Sequence, residues 1–164
     1  MLGSKLKKLI STKLATLVLY LLFLALLLLI HLQSLLMGSS FFVRDSLFDF
    51  SKVKLMLNLD LLCGGDDGFM VVNSQAENTK GFYDSLVKMN AKKRKVKEIK
   101  SRPNAANSDH YPFAKKGMPA VFVYTLGGQT GGYHQPDDTP ENASLTQYHN
   151  IVSLLIKGVE GMCK

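Results

Sequence analysis

The chain has 164 residues, enough for one ordinary domain, and 46% of them are hydrophobic. The formal net charge is +7, but four of the 20 basic residues precede Leu14 and all 13 acidic residues lie at Asp45 or later, which leaves a net charge of +3 for the rest. So small an excess gives no reason to expect a nucleic-acid partner. The two cysteines, Cys63 and Cys163, are too few for a disulfide framework or a cysteine zinc site.

The first predicted element is an apolar helix. No residue from Leu14 to Ile30 is charged, leucine dominates and β-branched residues are few, which favours a helix over a buried strand. The run approaches the roughly 20 residues that cross a bilayer as a helix. Lysines precede it, so the positive-inside rule leaves the N-terminus in the cytoplasm. We therefore predict a single-pass membrane protein with a basic flank and transmembrane helix at 1–35 and an extracytoplasmic domain at 36–164.

Two other interpretations of the apolar run remain open. Small residues at Gly38, Ser39 and Ser40 are typical of a signal-peptide cleavage site, and cleavage there would make the remainder a secreted protein. The run is long for a signal peptide, which favours an uncleaved anchor. The third interpretation is a segment buried in a soluble fold.

Residues 36–164 show the pattern of an α/β domain. Apolar residues alternate from Lys52 and become nearly continuous towards Leu62, which is typical of a strand covered on both faces. Helical spacing of apolar residues predicts one helix around 82–89 and another after Ser144, which forms a capping-box pattern with Gln147. Further strands are predicted at 69–73, 96–99 and 120–124.

A basic run, KKRKVK, follows the first of these helices at Lys92 to Lys97. It is either a polybasic binding patch or the solvated end of the helix, where cations interact favourably with the helix dipole. No aromatic residue interrupts the run, and the sequence alone favours the solvated helix end.

Two residues with metal-binding chemistry follow predicted strands. Asp60 ends the segment LNLD, and His134 lies in a glycine-rich loop after the strand at 120–124. Ligands of open α/β sheets gather outside the carboxyl ends of strands, and a neutral imidazole is a good zinc ligand that Asp137 or Asp138 could orient. Spacing alone favours the plainer interpretations, which are a turn or cap residue at Asp60 and an exposed loop histidine at His134.

The consecutive residues Ser108, Asp109 and His110 do not predict a serine-protease triad. The nucleophile, the base and the orienting acid of a triad must converge from separate directions, which three successive residues do not do. We instead predict that Asp109 and His110 begin a helix and line a pocket.

Three motifs in this order carry a family resemblance: LNLD, SDHYPFAKKGMPAVFVY and YHQPDDT. Together they resemble the C-terminal half of the di-zinc aminopeptidases, a family that includes bacterial aminopeptidases and glutaminyl cyclases. The likeness spans about Leu36 to Lys164. It implies a partial three-layer sheet-and-helix zinc-peptidase domain, two zinc ions as cofactors and a peptide substrate.

The resemblance also implies roles for individual residues. Asp60 matches the carboxylate ligand of one zinc and His134 the histidine ligand of the other. Tyr133 matches a hydrogen-bond donor to the tetrahedral intermediate. The other matching residues lie near the substrate pocket or complete the last motif: Asp109, His110, Asp138 and Thr139.

The family's remaining ligands and its general base have no counterparts in this chain. Leu32 and Gln33 stand where the family has a Glu-Glu pair, and no Asp or Glu precedes Asp45. A catalytic zinc usually has three protein ligands, so a single protein ligand for each of the two zinc ions is insufficient. We expect a membrane-anchored, truncated metallopeptidase-family protein that is inactive as a single chain unless a second subunit supplies ligands. The alternatives are a non-catalytic extracytoplasmic binding module and the fragment of a disrupted peptidase gene.

Overall fold

A computed structural model of the chain describes residues 36–45, 49–128, 133 and 135–163. The predicted transmembrane helix at 1–35 lies outside these residues. Among the residues that are described, no helix combines the length and the apolarity needed to cross a bilayer. In chain order the described elements are α1 (Met37–Arg44), a 3-10 helix (Phe50–Lys52), β1 (Met56–Leu59), β2 (Gly68–Val72), α2 (Glu77–Lys93), β3 (Ile99–Arg102), α3 (His110–Lys115), β4 (Ala120–Leu126), a second 3-10 helix (Pro140–Asn142) and α4 (Tyr148–Met162).

The four strands form one mixed sheet in the order β1-β4-β2-β3. β1 is parallel to β4, β4 is antiparallel to β2, and β2 is parallel to β3. The two interior strands, β2 and β4, are the most buried, which explains their almost continuous apolar sequences. The predicted α/β class is confirmed.

Helices cover both faces of the sheet. On one face, α2 and α4 pack over the larger core, to which the sheet contributes residues such as Phe69 and Val121 and the helices contribute Phe82, Leu86 and Leu154. On the other face, a smaller core surrounds Phe113 of α3 and Ala120 of β4. Successive residues of a strand point to opposite faces, so β4 contributes alternately to the two cores.

The sequence-based prediction for β1 was wrong in length and in environment. The strand has only four residues, it lies at the edge of the described sheet, and the side chain of Leu59 is 43% exposed. Residues before it form a 3-10 turn, because the Asp49 carboxylate accepts a hydrogen bond from the backbone N–H of Ser51 at 3.1 Å. The apolar sequence of β1 does not determine which strands pair with it, so it did not reveal that β1 lies at an edge of the described sheet.

The predicted start of the last helix was also wrong. The helix α4 begins at Tyr148, and its N-cap, Gln147, makes no side-chain capping bond. Ser144 instead lies in an irregular segment before the helix, where its carbonyl accepts a hydrogen bond from the backbone N–H of Gly64 at 2.6 Å. The contact with the β1–β2 connection holds the segment before α4 in a non-helical conformation.

Candidate functional site

The segments that follow β1 and β4 emerge at the same edge of the sheet, because these two strands are parallel neighbours. Asp60 is the first residue after β1, and the segment with Tyr133 and His134 follows β4. His134 lies outside the described residues. The sheet topology therefore brings the first of the two predicted zinc ligands to the edge from which the segment bearing the second departs.

The backbone at Asp60 is fixed by hydrogen bonds to β4. Its N–H donates to the carbonyl of Val123 at 3.3 Å. The next residue, Leu61, has a positive φ of 56°, an uncommon conformation for a residue with a branched side chain. The Leu61 carbonyl accepts hydrogen bonds from both the backbone N–H and the hydroxyl of Thr125, at 3.1 and 2.8 Å. The strain, on the order of 1–3 kcal/mol, is thus maintained by the neighbouring strand.

Two glycine pairs hold the β1–β2 connection against the end of β4. The N–H of Gly65 donates to the carbonyl of Gly127 at 2.8 Å. Gly64 has a φ of 77°, and a Cβ atom there would lie only 2.4 Å from the same carbonyl oxygen. Only glycine permits this approach, so the glycines fix where the segment after β4 begins.

A chain of side-chain hydrogen bonds orients the Asp60 carboxylate. The Asn58 amide donates to the Ser108 hydroxyl at 2.7 Å, and this hydroxyl donates to Asp60 Oδ2 at 3.4 Å, longer than the usual O–H···O hydrogen bond. Metal-binding carboxylates are usually held by such partners. Sequence reasoning missed both supporting residues, since Asn58 and Ser108 lie 50 positions apart and no local pattern connects them.

His110 begins α3, as predicted, but it is completely buried. Its Nε2 lies 3.2 Å from the Asn104 amide oxygen, and its ring packs against Phe122 at a centroid distance of 5.6 Å. Within the part of the chain that the structure describes, its Nδ1 has no hydrogen-bond partner. Burial lowers the pKa of His110 to about 4, against the opposing effects of the Ser108 backbone and the Asp109 charge. The imidazole is therefore neutral at pH 7, whereas Asp109 beside it is exposed.

The remaining predicted site residues lie in exposed turns after β4. The side chain of Tyr133 is 59% exposed. Asp138 is exposed, and its N–H donates to the carbonyl of Gln135 at 3.0 Å. The N–H of Thr139, which is half-buried, donates to the carbonyl of Asp137 at 2.9 Å. These bonds fold the segment into turns that lead into the second 3-10 helix.

The donor set does not fit a pair of zinc ions. Within the described residues, no group of three or more His, Cys, Asp or Glu side chains is placed to hold a metal ion. Two neighbouring zincs need several ligands each and a bridging anion. This chain offers Asp60 and, by resemblance, His134, and it has no acidic residue before Asp45.

Solved structures similar to this chain are bacterial aminopeptidases. The zinc aminopeptidase BSAP of Bacillus subtilis has a TM-score of 0.58 and 21% identity, over 76% of this chain and 32% of that one. The aminopeptidase of Aneurinibacillus sp. strain AM-1 has a TM-score of 0.58 and 22% identity, over 76% and 29%. The LapA aminopeptidase of Legionella pneumophila has a TM-score of 0.54 and 19% identity, over 77% and 35%. This chain thus spans about a third of the length of these enzymes, and the likeness concerns the fold.

Among curated protein sequences none matches the chain. The model of peptidase family M28 matches residues 33–159, which is most of the chain. The partial coverage of the solved enzymes fits the C-terminal part of the family's domain, as the three motifs implied. The chain belongs to peptidase family M28.

Proposed function

We propose that this protein is an aminopeptidase-like M28 domain that does not hydrolyse peptides on its own. Hydrolysis would require a second polypeptide that supplies the missing zinc ligands and the general base. One contrast supports this proposal. The predicted zinc ligand Asp60 is present and hydrogen-bonded, whereas the two positions at which the family has its Glu-Glu pair hold no carboxylate. The Ser108 hydroxyl, which is itself bonded by Asn58, donates to the Asp60 carboxylate, whereas Leu32 and Gln33 offer neither a metal ligand nor a base.

The chemistry of peptide hydrolysis explains why these losses matter. Zinc, when bound, would polarise the scissile carbonyl and acidify a water molecule. A carboxylate must then accept the proton of that water, and loss of a general base alone typically slows a reaction by about 10²–10⁴-fold. The phenol of Tyr133 remains as a donor for the developing oxyanion, and the exposure of its side chain suits a role in contacting substrate. One donor without the base does not sustain turnover.

The metal content of the purified full chain tests the first part of the proposal. After dialysis we expect less than one zinc per chain by plasma mass spectrometry, because Asp60 and His134 are too few ligands. The His134→Ala variant should hold no less zinc than wild type. Two tightly held zincs in wild type, lost in the variant, would contradict the proposed donor set.

Hydrolysis of aminoacyl-nitroanilides with added zinc tests the second part. Wild type and His134→Ala should both remain at the level of an empty-vector preparation. Zinc-dependent turnover by wild type alone, in a preparation shown to be monomeric, would refute the claim that the chain is inactive by itself. If turnover appears only in an oligomeric fraction, the ligands come from a second chain.

The proposal includes a membrane anchor formed by residues 1–35, with the M28 domain at 36–164 on the extracytoplasmic side. The uncharged run from Leu14 to Ile30 and the preceding lysines support it. We expect the protein to stay in the membrane pellet after alkaline carbonate extraction. Protease added outside spheroplasts should digest the domain, and a soluble, protected product would count against the anchor.

A non-catalytic binding module is the second candidate function. An apolar groove of about 240 Å³ beside the edge strand β1 favours it, with Leu57, Leu59 and Leu155 among its lining residues. Saturable binding of an apolar peptide without cleavage, weakened by Leu59→Lys, would favour this candidate over a dormant peptidase.

A further inference from the structure

The strand β1 has one open side at the edge of the sheet. It pairs with β4 on its other side, and no further strand of the described residues pairs with it. The N–H groups of Met56 and Asp60 point towards β4 and donate to backbone carbonyls at 2.8 and 3.3 Å. Because alternate residues of a strand direct these groups to opposite sides, Leu57 and Leu59 present their N–H and C=O groups outward. An edge of this kind is a template for pairing with another strand.

An apolar groove of about 240 Å³ lies beside the same edge, between β1 and α4. Leu57 and Leu59 line it from the strand, and Leu155 and Ile156 are among the residues that line it from the helix. Leu59 and Ile156 are exposed to solvent. Among the described lining residues only Glu160 is charged, and it is exposed as well. The open edge therefore combines unpaired backbone groups with apolar surface whose burial would be favourable.

The two ends of β1 carry opposite charges. Lys54 lies two residues before the strand and Asp60 directly after it. Both are exposed, and neither forms an ion pair within the described residues. Leu55 and Leu57 pack against the larger core and Met56 against the smaller one, so the alternation of faces holds from Leu55 onwards. Lys54 and Asp60 are separated by an even number of residues and therefore belong to the same face.

This arrangement is self-complementary for a second copy of the same strand. A twofold axis perpendicular to the sheet pairs two β1 strands antiparallel, with residues that face outward paired to each other. When the axis passes through Leu57, Lys54 of each copy lies opposite Asp60 of the other, so two attractive pairs form. A parallel pairing would instead place lysine beside lysine and aspartate beside aspartate, and like charges opposite each other are destabilising.

We propose that β1 is a docking edge for a second copy of this chain, and that the sheet continues through both copies of a homodimer. The two apolar grooves adjoin across the strand pair, and Leu59 and Ile156 of both copies leave solvent. The pairing requires neither zinc nor catalysis, so it goes beyond the proposed function. Because β1 has only four residues, the interface is small, and we expect a micromolar rather than a nanomolar dissociation constant.

Charge reversal tests this pairing. Sedimentation velocity of the full chain in uncharged detergent, over a range of protein concentrations, measures the dissociation constant of the dimer. Lys54→Asp and Asp60→Lys should each raise it about tenfold or more, about 1.4 kcal/mol, because like charges then face each other. The double variant Lys54→Asp/Asp60→Lys restores opposite charges and should dimerise nearly as wild type does.

The matched control for charge reversal is Lys88→Asp, at an exposed position of α2. It should leave the dissociation constant unchanged. A double variant as weak as the single variants, equal weakening in the control, or dimerisation that no variant alters would overturn the proposal. Circular dichroism of every variant distinguishes a lost dimer from a lost fold.

Disulfide trapping locates the twofold axis without relying on the charges. In a Cys63→Ser/Cys163→Ser background, Leu57→Cys places two thiols at a hydrogen-bonded antiparallel pair, whose Cα atoms lie about 5.5 Å apart and within reach of a disulfide. The control is Leu59→Cys, whose counterpart lies four residues away along the strand, roughly 14 Å. Oxidation should trap the dimer for Leu57→Cys only. Equal trapping of both variants, or of neither, would overturn the register.

An apolar peptide is the competing occupant of the groove. The probe is a peptide with the sequence of residues 54–60, KLMLNLD, and its control is the charge-swapped peptide DLMLNLK. Excess KLMLNLD should shift the full chain towards monomer more strongly than DLMLNLK does, because only the first reproduces the opposite charges of β1. A chain that stays monomeric at every concentration and binds both peptides equally would overturn the homodimer in favour of a peptide-binding groove.

Discussion

Acidification should destabilise the fold through His110, which is buried in its neutral form. Its pKa is about 4 in the folded protein and returns to its ordinary value of 6.5 in the unfolded chain. Between these two values the unfolded state binds a proton that the folded state does not, so the free energy of unfolding falls as the pH falls. The difference between the two pKa values corresponds to about 3 kcal/mol, which is fully lost only below pH 4.

Urea unfolding followed by circular dichroism between pH 7 and pH 4.5 measures this effect. The informative variant is His110→Phe, which keeps an aromatic ring against Phe122 and cannot bind a proton. Its free energy of unfolding should fall by about 2 kcal/mol less than that of wild type over this range, because the variant lacks the imidazole whose pKa differs between the two states. Part of the fall remains in the variant, since other groups still titrate. The matched control is Asn104→Ala, which removes the hydrogen-bond partner of His110. It should lower stability at every pH by about 1 kcal/mol while the pH dependence persists.

Equal losses of stability in wild type and His110→Phe would refute the reasoning. They would mean that the folded protein accommodates the imidazolium, either through a partner for Nδ1 or through entry of water. A hydrogen-exchange experiment on α3 at both pH values would show whether the helix opens to admit the proton.

Three further predictions concern packing and association. Gly158→Ala should lower the free energy of unfolding by about 1–3 kcal/mol, since a Cβ there would lie within 2.9 Å of two buried side chains of α2. The control Gly161→Ala, on the same helix, places a Cβ that meets nothing within 4 Å and should raise the free energy of unfolding by about 0.5–1 kcal/mol. Equal effects of the two substitutions in urea unfolding would contradict this packing. Ile156→Lys should reduce self-association in analytical ultracentrifugation, because Ile156 is a 53% exposed apolar residue beside the edge strand; an unchanged sedimentation profile would exclude this surface. Asn90→Ala should destabilise the fold by about 1–3 kcal/mol, since two hydrogen bonds to Val96 are lost, and an unchanged urea midpoint would show that the turn does not depend on them.

Local sequence patterns predicted the buried elements well. Ala120 to Leu126 is an interior strand because its apolar residues face cores on both sides of the sheet. The helix predicted around 82–89 was confirmed and extends over Glu77–Lys93, since its polar residues outside the core-facing stripe remain compatible with a helix. The pattern was sufficient where burial alone determines the structure.

Features that depend on tertiary neighbours were not predictable in this way. The helix α1 was missed because Gly38, Ser39 and Ser40 interrupt any apolar period. The edge position of β1 depends on which strands pair with it, and its apolar run carries no such information. The left-handed conformation of Leu61 is likewise imposed by the hydrogen bonds of Thr125.

The same distinction applies to the candidate site, where the sequence predicted a residue but not its tertiary contacts. Motif resemblance predicted a role for Asp60, whereas the structure shows its contacts: the hydrogen bonds from Asn58 through Ser108 to the carboxylate, and the bond from its N–H to Val123. Backbone strain of the kind found at Leu61 clusters at functional sites, which agrees with the role that the proposed function gives to Asp60.

This support of Asp60 does not depend on the missing family ligands, because every group that provides it belongs to residues 58–125. The proposed function therefore requires of a second polypeptide only the further zinc ligands and the general base, because Asp60 is already held within this domain. The same independence makes the proposal testable in parts. Asp60 can be positioned correctly in a chain that neither retains zinc nor turns over substrate, and addition of the missing ligands in trans should then restore both properties together.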